Sequence, residues 1–272
     1  MKLHAMAKMN KERLRHVTRG VACFVGALFM AAPTWGQAEG FKMGLSLEPN
    51  LAWMTSRDFE HATDGVRAHF GYQFMADILF TDLYAVGTGV HVFRTGSTVQ
   101  FYALNADSLG IQHVTHNLNN QYVELPLTFK MRTKEIGYTT YFGKFGAGVG
   151  MNTRREADET RYTAYERSDV EGAWITVNDP VVPAPDVVTD NGTALFRASM
   201  IVGLGFERRI AGSTALMVGL TYNNSLFSTH KDQFILRTDA NNNPQGLAEG
   251  LTLTEKMQGH DSFMALSVGI VF

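Results

Sequence analysis

Between Gln121 and Met151 the chain alternates apolar and polar residues in two consecutive runs. From Tyr122 to Arg132, one parity holds Val123, Leu125, Leu127, Phe129 and Met131. The other holds Tyr122, Glu124, Pro126, Thr128, Lys130 and Arg132. A period of two sustained this far predicts a β-strand whose faces meet different surroundings. Thr133–Tyr138 supplies a polar reversal. Tyr141–Met151 then sets Tyr141, Phe145, Ala147, Val149 and Met151 against Lys144, Gly146, Gly148 and Gly150. In a soluble sandwich the apolar face would pack on a second sheet. In a membrane barrel it would meet lipid, and the polar and glycine face would fill a narrow interior.

The rest of the chain decides between the two. Alternating strands are expected at Lys42–Trp53, Val66–Phe80, Leu83–Arg94, Ala194–Arg208, Thr214–Thr229 and Ser262–Phe272. With the central hairpin they make eight. The connections at Thr81-Asp82, Thr133–Tyr138 and Ala211-Gly212-Ser213 are short. Those at Met54–Gly65, Thr95–Asn120, Asn152–Thr193 and His230–Gln258 are long, and Pro180, Pro183 and Pro185 are expected to keep part of the third extended and unpaired. Short and long connections therefore fall at opposite ends. The fold class that follows is all-β: an eight-stranded antiparallel up-and-down transmembrane β-barrel with short periplasmic turns and long extracellular loops. A Greek-key sandwich does not sort its loops this way.

Composition agrees. No apolar run is long enough for a spanning helix, which excludes a helical membrane protein but not a barrel. Residues 1–38 read as a signal peptide. Lys2, Lys8, Lys11, Arg13, Arg15 and Arg19 form a basic start, Val21–Ala32 an apolar centre, and cleavage is expected after Gly36 or Ala38. The barrel domain then covers residues 39–272. Removing the leader leaves 18 basic and 25 acidic residues, a net charge of −7, with no basic patch for nucleic acid. Cys23, the only cysteine, goes with the leader, so the processed chain has no thiol for a disulfide, a metal site or nucleophilic attack. The expected location is the outer membrane.

The run Tyr122-Val123-Glu124-Leu125-Pro126-Leu127 followed by Lys130, the next strand Gly143–Gly150 (GKFGAGVG) and the aromatic-terminated last strand resemble the PorT-like outer-membrane β-barrel family of Bacteroidota. The resemblance spans roughly residues 40–272. It implies a barrel in the cell envelope and, from the family's named member, a link to a gliding-associated type IX protein secretion system. Phe272 resembles the C-terminal signal read by the barrel-assembly machinery. The expected partners are outer-membrane lipid, that machinery during biogenesis, and other envelope or secretion proteins.

Candidate chemistry is sparse. Glu48, Arg67, Asp77, Glu124, Lys130, Lys144, Arg197 and Glu207 fall on the inward parity and mix both signs. They suit a selective pore or a plug of ion pairs. The plug is favoured, because eight strands enclose little more than their own side chains. The inward glycines lie inside strands, not before a helix, so they make room for large neighbours rather than cradling phosphate. His260-Asp261-Ser262 resembles the His-x-Ser pair of outer-membrane lipid A deacylases, but no acidic residue follows Ser262 to orient the histidine. His113 and His116 have metal-pair spacing without a third ligand, and are expected as solvated loop histidines. The acidic stretch Asn152–Thr193 lacks calcium-loop spacing. No cofactor, metal or catalytic role is expected. The function expected is structural or partner-binding, through the external loops.

Overall fold

The computed structural model describes residues 40–56, 62–104, 110–167, 174–177, 180–188, 193–230, 234–236, 254–256 and 258–272. The expected leader lies outside these. Fourteen strands follow in chain order: β1 (Phe41–Ser56), β2 (Ala62–Asp64), β3 (Arg67–Thr81), β4 (Tyr84–Thr95), β5 (Thr98–Leu104), β6 (Gly110–Arg132), β7 (Thr139–Arg167), β8 (Trp174–Thr176), β9 (Val182–Val188), β10 (Phe196–Ala211), β11 (Thr214–Ser225), β12 (Phe234–Leu236), β13 (Thr254–Lys256) and β14 (Gly259–Val271).

Eight of them close a ring. Antiparallel pairing runs β1–β3–β4–β6–β7–β10–β11–β14 and returns to β1. Each neighbour in the ring is also a neighbour in sequence, apart from the inserted short strands, so the topology is up-and-down. Closure leaves no unpaired barrel edge. The expected strands are all present. Three tight reversals, β3–β4, β6–β7 and β10–β11, share one end with the paired termini, where Met43 and Phe272 exchange backbone hydrogen bonds at 2.9 and 2.8 Å. Gly137 and Gly212 take φ values of 55° and 54° in two of these turns, a left-handed geometry that disfavours side chains. The long connections leave from the other end, here termed the loop end.

Side chains obey the pleat. Leu45, Leu47, Leu51, Tyr72, Phe80, Leu125, Leu127, Val149, Leu204 and Ile270 are exposed on the outer wall, while Glu48, Glu124, Arg197 and Glu207 are buried inside. Apolar outside and charged inside is the reverse of a water-soluble protein.

Two expected loops are strands. Thr95–Asn120 contains β5 and the first half of β6, and β5 pairs with β6 from Thr98↔Asn117 to Leu104↔Ile111. Only Gly96-Ser97 separates β5 from β4. A Cβ on Gly96 would stand 2.2 Å from the Leu118 carbonyl oxygen, so the strand can kink there only with glycine. In Asn152–Thr193, β7 runs on to Arg167 and pairs with β6 as far as Glu166↔Gly110. The expected unpaired proline segment is corrected too. Pro183 and Pro185 lie in β9, an edge strand paired with β7, where a missing N–H is tolerated. The remaining insertions pair locally: β2 with β5, β8 with β7, and β12 with β13.

The projecting part of the wall keeps the barrel's pleat and reverses its chemistry. Along β6 the even-numbered side chains stay on the buried side from Val114 to Lys130. Up to Tyr122 at the barrel rim they include Val114 and Leu118; inside the barrel they are Glu124, Pro126, Thr128 and Lys130. The odd-numbered ones change from His113, Thr115, Asn117, Asn119 and Gln121 to Val123, Leu125, Leu127, Phe129 and Met131. Val114 and Leu118 join Val99, Phe101, Ala157 and Met54 in an apolar core of the projecting sheet.

Candidate functional site

The lumen holds three polar tiers. At the turn end, Lys130 Nζ donates to Asp77 and to Glu207, both at 2.7 Å. Arg132 also donates to Glu207 at 2.7 Å, and Lys42 lies 3.5 Å from it. Phe142, Met75, Met217 and Val271 pack this tier from the sides, with Lys130 Nζ 4.4 Å from the Phe142 ring centre.

In the middle, Glu48 lies 2.9 Å from His91 Nε2 and accepts from Ser267 and Ser46 at 2.9 and 3.2 Å. Lys144 lines a cavity with Glu48, Asp77, His91, Lys130 and Phe142. Its volume is about 30 Å³, room for about one water.

Nearest the loop end, Arg197 donates to Glu124 at 2.9 Å and to Asp261 at 3.1 Å. Ser199 and Asn223 also donate to Glu124, at 2.7 and 2.9 Å, and Thr95 donates to Asp261 at 3.1 Å. The Arg197 guanidinium lies 5.4, 5.5 and 5.9 Å from the ring centres of Phe93, Tyr122 and Phe263. Those rings are fully buried, with Phe93 stacked on Tyr122 and tilted against Phe263. The inward glycines make this possible. A Cβ on Gly148 would stand 2.5 Å from the Glu124 carboxyl carbon, and one on Gly203 2.8 Å from Lys144 Cε.

Seven of the eight sequence-selected interior residues, Glu48, Asp77, Glu124, Lys130, Lys144, Arg197 and Glu207, come together in these tiers. Arg67 does not. It stands half-buried at the loop end of β3, beside His69. Sequence reasoning missed Asp261 and His91 as partners. The alternation of the last strand, carried two residues back from Phe263, places Asp261 inward. Together Asp77, Glu207, Glu48, Glu124 and Asp261 face Lys42, Lys130, Lys144, Arg132 and Arg197, five charges of each sign. Buried charges without such partners would be prohibitively costly.

The other candidates are dispersed. His260 Nδ1 lies 3.2 Å from the Ser225 carbonyl oxygen, and Ser262 donates to Asn224 Oδ1 at 2.7 Å, so each is engaged separately. His113 and His116 are strand residues on opposite faces of β6, not solvated loop histidines as expected; successive strand positions alternate faces, which parts a pair three residues apart. His116 is buried, with Nε2 2.7 Å from Glu159. Burial lowers its pKa, opposed by the Glu159 contact. Burial alone would raise the Glu159 carboxyl, but hydrogen bonds from His116 and Arg161 hold it below the usual range. Among the described residues no group of three or more His, Cys, Asp or Glu is placed to hold a metal.

On the outward face, His113 stacks on Tyr162 with ring centres 5.1 Å apart and meets Tyr102 edge-on at 5.0 Å. Tyr102, His113 and Tyr162 thus form one cross-strand row.

A closed antiparallel ring with a greasy wall, a charge-filled lumen and one-sided loops defines an outer-membrane β-barrel. The model of the outer membrane protein beta-barrel domain matches residues 35–231, and the chain belongs to that family. Its location is the outer membrane, with the loop end extracellular and the tight turns periplasmic. Similar solved structures include Neisserial surface protein A, at 10% identity over 86% of this chain and 97% of that one, TM-score 0.42. OprG from Pseudomonas aeruginosa matches at 9% identity over 87% and 98%, TM-score 0.42. The attachment invasion locus protein Ail of Yersinia pestis, in complex with the heparin analogue sucrose octasulfate, matches at 10% identity over 86% and 99%, TM-score 0.36. No curated protein matches the chain.

Proposed function

We propose that this protein is a non-enzymatic outer-membrane barrel that works by binding an extracellular partner on its projecting sheet. The supporting observation is the form of β5, β6, β7 and β9. They continue the wall beyond the barrel on an apolar core of their own and present the row Tyr102, His113 and Tyr162 outward. A wall that only sealed the barrel would have no need of a second core. Half-buried aromatic rings beside amides and hydroxyls, here Gln100, Thr115 and Thr160, suit a binding surface. Photo-crosslinking from position 115, beside the row, on intact cells tests this. Discrete adducts that vanish in Tyr102→Ala/Tyr162→Ala, with unchanged heat-modifiable gel mobility, support the reading. Adducts no different from those at position 127 on the lipid face sink it. Planar-bilayer recordings should show no discrete conductance.

The separate engagement of His260 and Ser262 supports the non-enzymatic reading, and Ser262→Ala is expected to leave the lipid A profile unchanged. A second reading, a subunit of a type IX secretion apparatus, rests on the Tyr122–Leu127 run and Lys130. Co-purification of secretion components from solubilised native membranes would support it, and their absence would remove it.

A further inference from the structure

One layer above the apolar belt, three outward side chains stand side by side. Arg94 on β4 pairs in register with Gln121 on β6, and Gln121 with Arg154 on β7. The next outward residues toward the periplasm are Val92, Val123 and, past the exposed bulge residue Thr153, Met151. The row thus sits where hydrocarbon gives way to headgroups. Arg94 Nε donates to Gln121 Oε1 at 3.2 Å, which braces the guanidinium along the wall and leaves its two NH2 groups to donate elsewhere. Arg94 is exposed and has no carboxylate partner among the described residues. Arg154 is held by Glu156 at 2.5 Å, so Arg94 carries most of the uncompensated charge.

Beside the row the wall parts. β3 and β4 pair from Thr81↔Tyr84 to Tyr72↔Val92 and no further, although β3 extends to Arg67 and β4 to Thr95. The groove between them has a volume of about 600 Å³. Ala68, Phe70, Tyr72 and Val92 give it apolar sides, and Arg94 and Gln121 close its upper end. His69 also lines it, with Nε2 buried and without a hydrogen-bond partner among the described residues.

We propose that this groove and row hold a phosphate-bearing acyl lipid of the surrounding leaflet. One acyl chain lies along Phe70, Tyr72 and Val92, and the headgroup phosphate sits on Arg94, with Gln121 and Arg154 beside it. The charge argument selects the occupant. A guanidinium at the hydrocarbon edge needs a counter-anion, a phosphate accepts its paired N–H groups, and low local dielectric strengthens the contact. A neutral lipid would fill the groove and leave the guanidinium uncompensated.

The test uses the folded full chain in phosphatidylcholine vesicles doped with phosphatidic acid. Bound lipid is counted by native mass spectrometry after detergent release. Phosphatidic acid should be retained and matched diacylglycerol lost. Arg94→Gln should weaken retention about tenfold or more, the worth of a charge-assisted hydrogen bond. Arg208→Gln, an exposed arginine at the opposite end, should change nothing. Retention of diacylglycerol equal to phosphatidic acid, or an Arg94→Gln protein that binds as well as the parent, overturns the proposal. Displacement by inorganic phosphate at equal concentration also overturns it, because the site would then read the anion and not the lipid. Unchanged heat-modifiable mobility confirms that each variant is folded.

Discussion

The two halves of β6 share one backbone rule and obey opposite chemistries. From Tyr122 to Arg132 the enclosed side is charged and the outer side apolar. From Gly110 to Gln121 the enclosed side sets Val114 and Leu118 into an apolar core beside buried His116 and Asn120, and the outer side is polar. The alternation of buried and outward positions along β6 runs unbroken between them. What changes is the solvent outside, from acyl chains to water, and the interior follows. A lipid-facing wall gains nothing from an apolar lumen, so the lumen can hold ion pairs. A water-facing wall has to find its hydrophobic burial inside. The switch falls at Gln121/Tyr122, beside a register shift and one layer above Val123.

The sharpest way to break this contrast is inside the barrel. Arg197→Ala strands Glu124 and Asp261 in the lumen and should cost about 3–5 kcal/mol, the usual penalty for one half of a buried ion pair. The urea midpoint of the lipid-embedded protein reads it. A charge on the greasy wall comes next: Leu127→Arg should cost about 2–4 kcal/mol near the bilayer centre. On the projecting sheet, Leu118→Ala should cost at least about 2 kcal/mol of that sheet's local stability. Faster amide exchange in β5 and the outer half of β6, with the barrel's own midpoint unchanged, would show that the two cores are separate.

Acid should loosen the projecting sheet. His116 and Glu159 both have pKa values lowered by the fold, so the native sheet binds fewer protons than the opened one. Their stabilisation is complete above the ordinary histidine value of 6.5 and is lost as pH falls below it through the lowered His116 pKa, and then below 4.5 through the lowered Glu159 pKa. Exchange of the β6 amides around His116 should quicken over that range and slow again on neutralisation. The smallest effect expected is from Thr115→Arg, within about 0.5 kcal/mol, because its side chain meets water. Placed beside Leu127→Arg, it locates the boundary on one strand.

The barrel was legible because lipid forces a long, uninterrupted alternation with the apolar parity outside. The same criterion hid the projecting sheet. On the buried parity only Val114 and Leu118 are apolar, interrupted by His116 and Asn120, and Thr115, Asn117 and Asn119 fill the other parity. A search for apolar-outward strands passes over them. Prolines misled for a related reason: Pro183 and Pro185 forbid a central strand, not an edge. In the lumen, parity selected the charged residues, but not which partner each would take. Lys130 reaches Glu207 across 77 positions of sequence, and Arg197 reaches Glu124 across 73. Such pairings depend on how far neighbouring strands slide past one another, which no single strand encodes. Asp261 was obscured by its neighbours, since the His-x-Ser pattern drew the reading away from the parity.

The equality of acids and bases in the lumen bears on how this chain can vary. A cancelled set produces almost no field beyond its immediate surroundings, so neither external salt nor a Donnan potential has much purchase on it. Any lone replacement that adds or removes a sign would install a monopole in a low-dielectric cylinder. Substitutions there are expected to be tolerated in compensating twos, and a library randomised at Glu124 and Arg197 together should return swapped or jointly neutral combinations far more often than single changes.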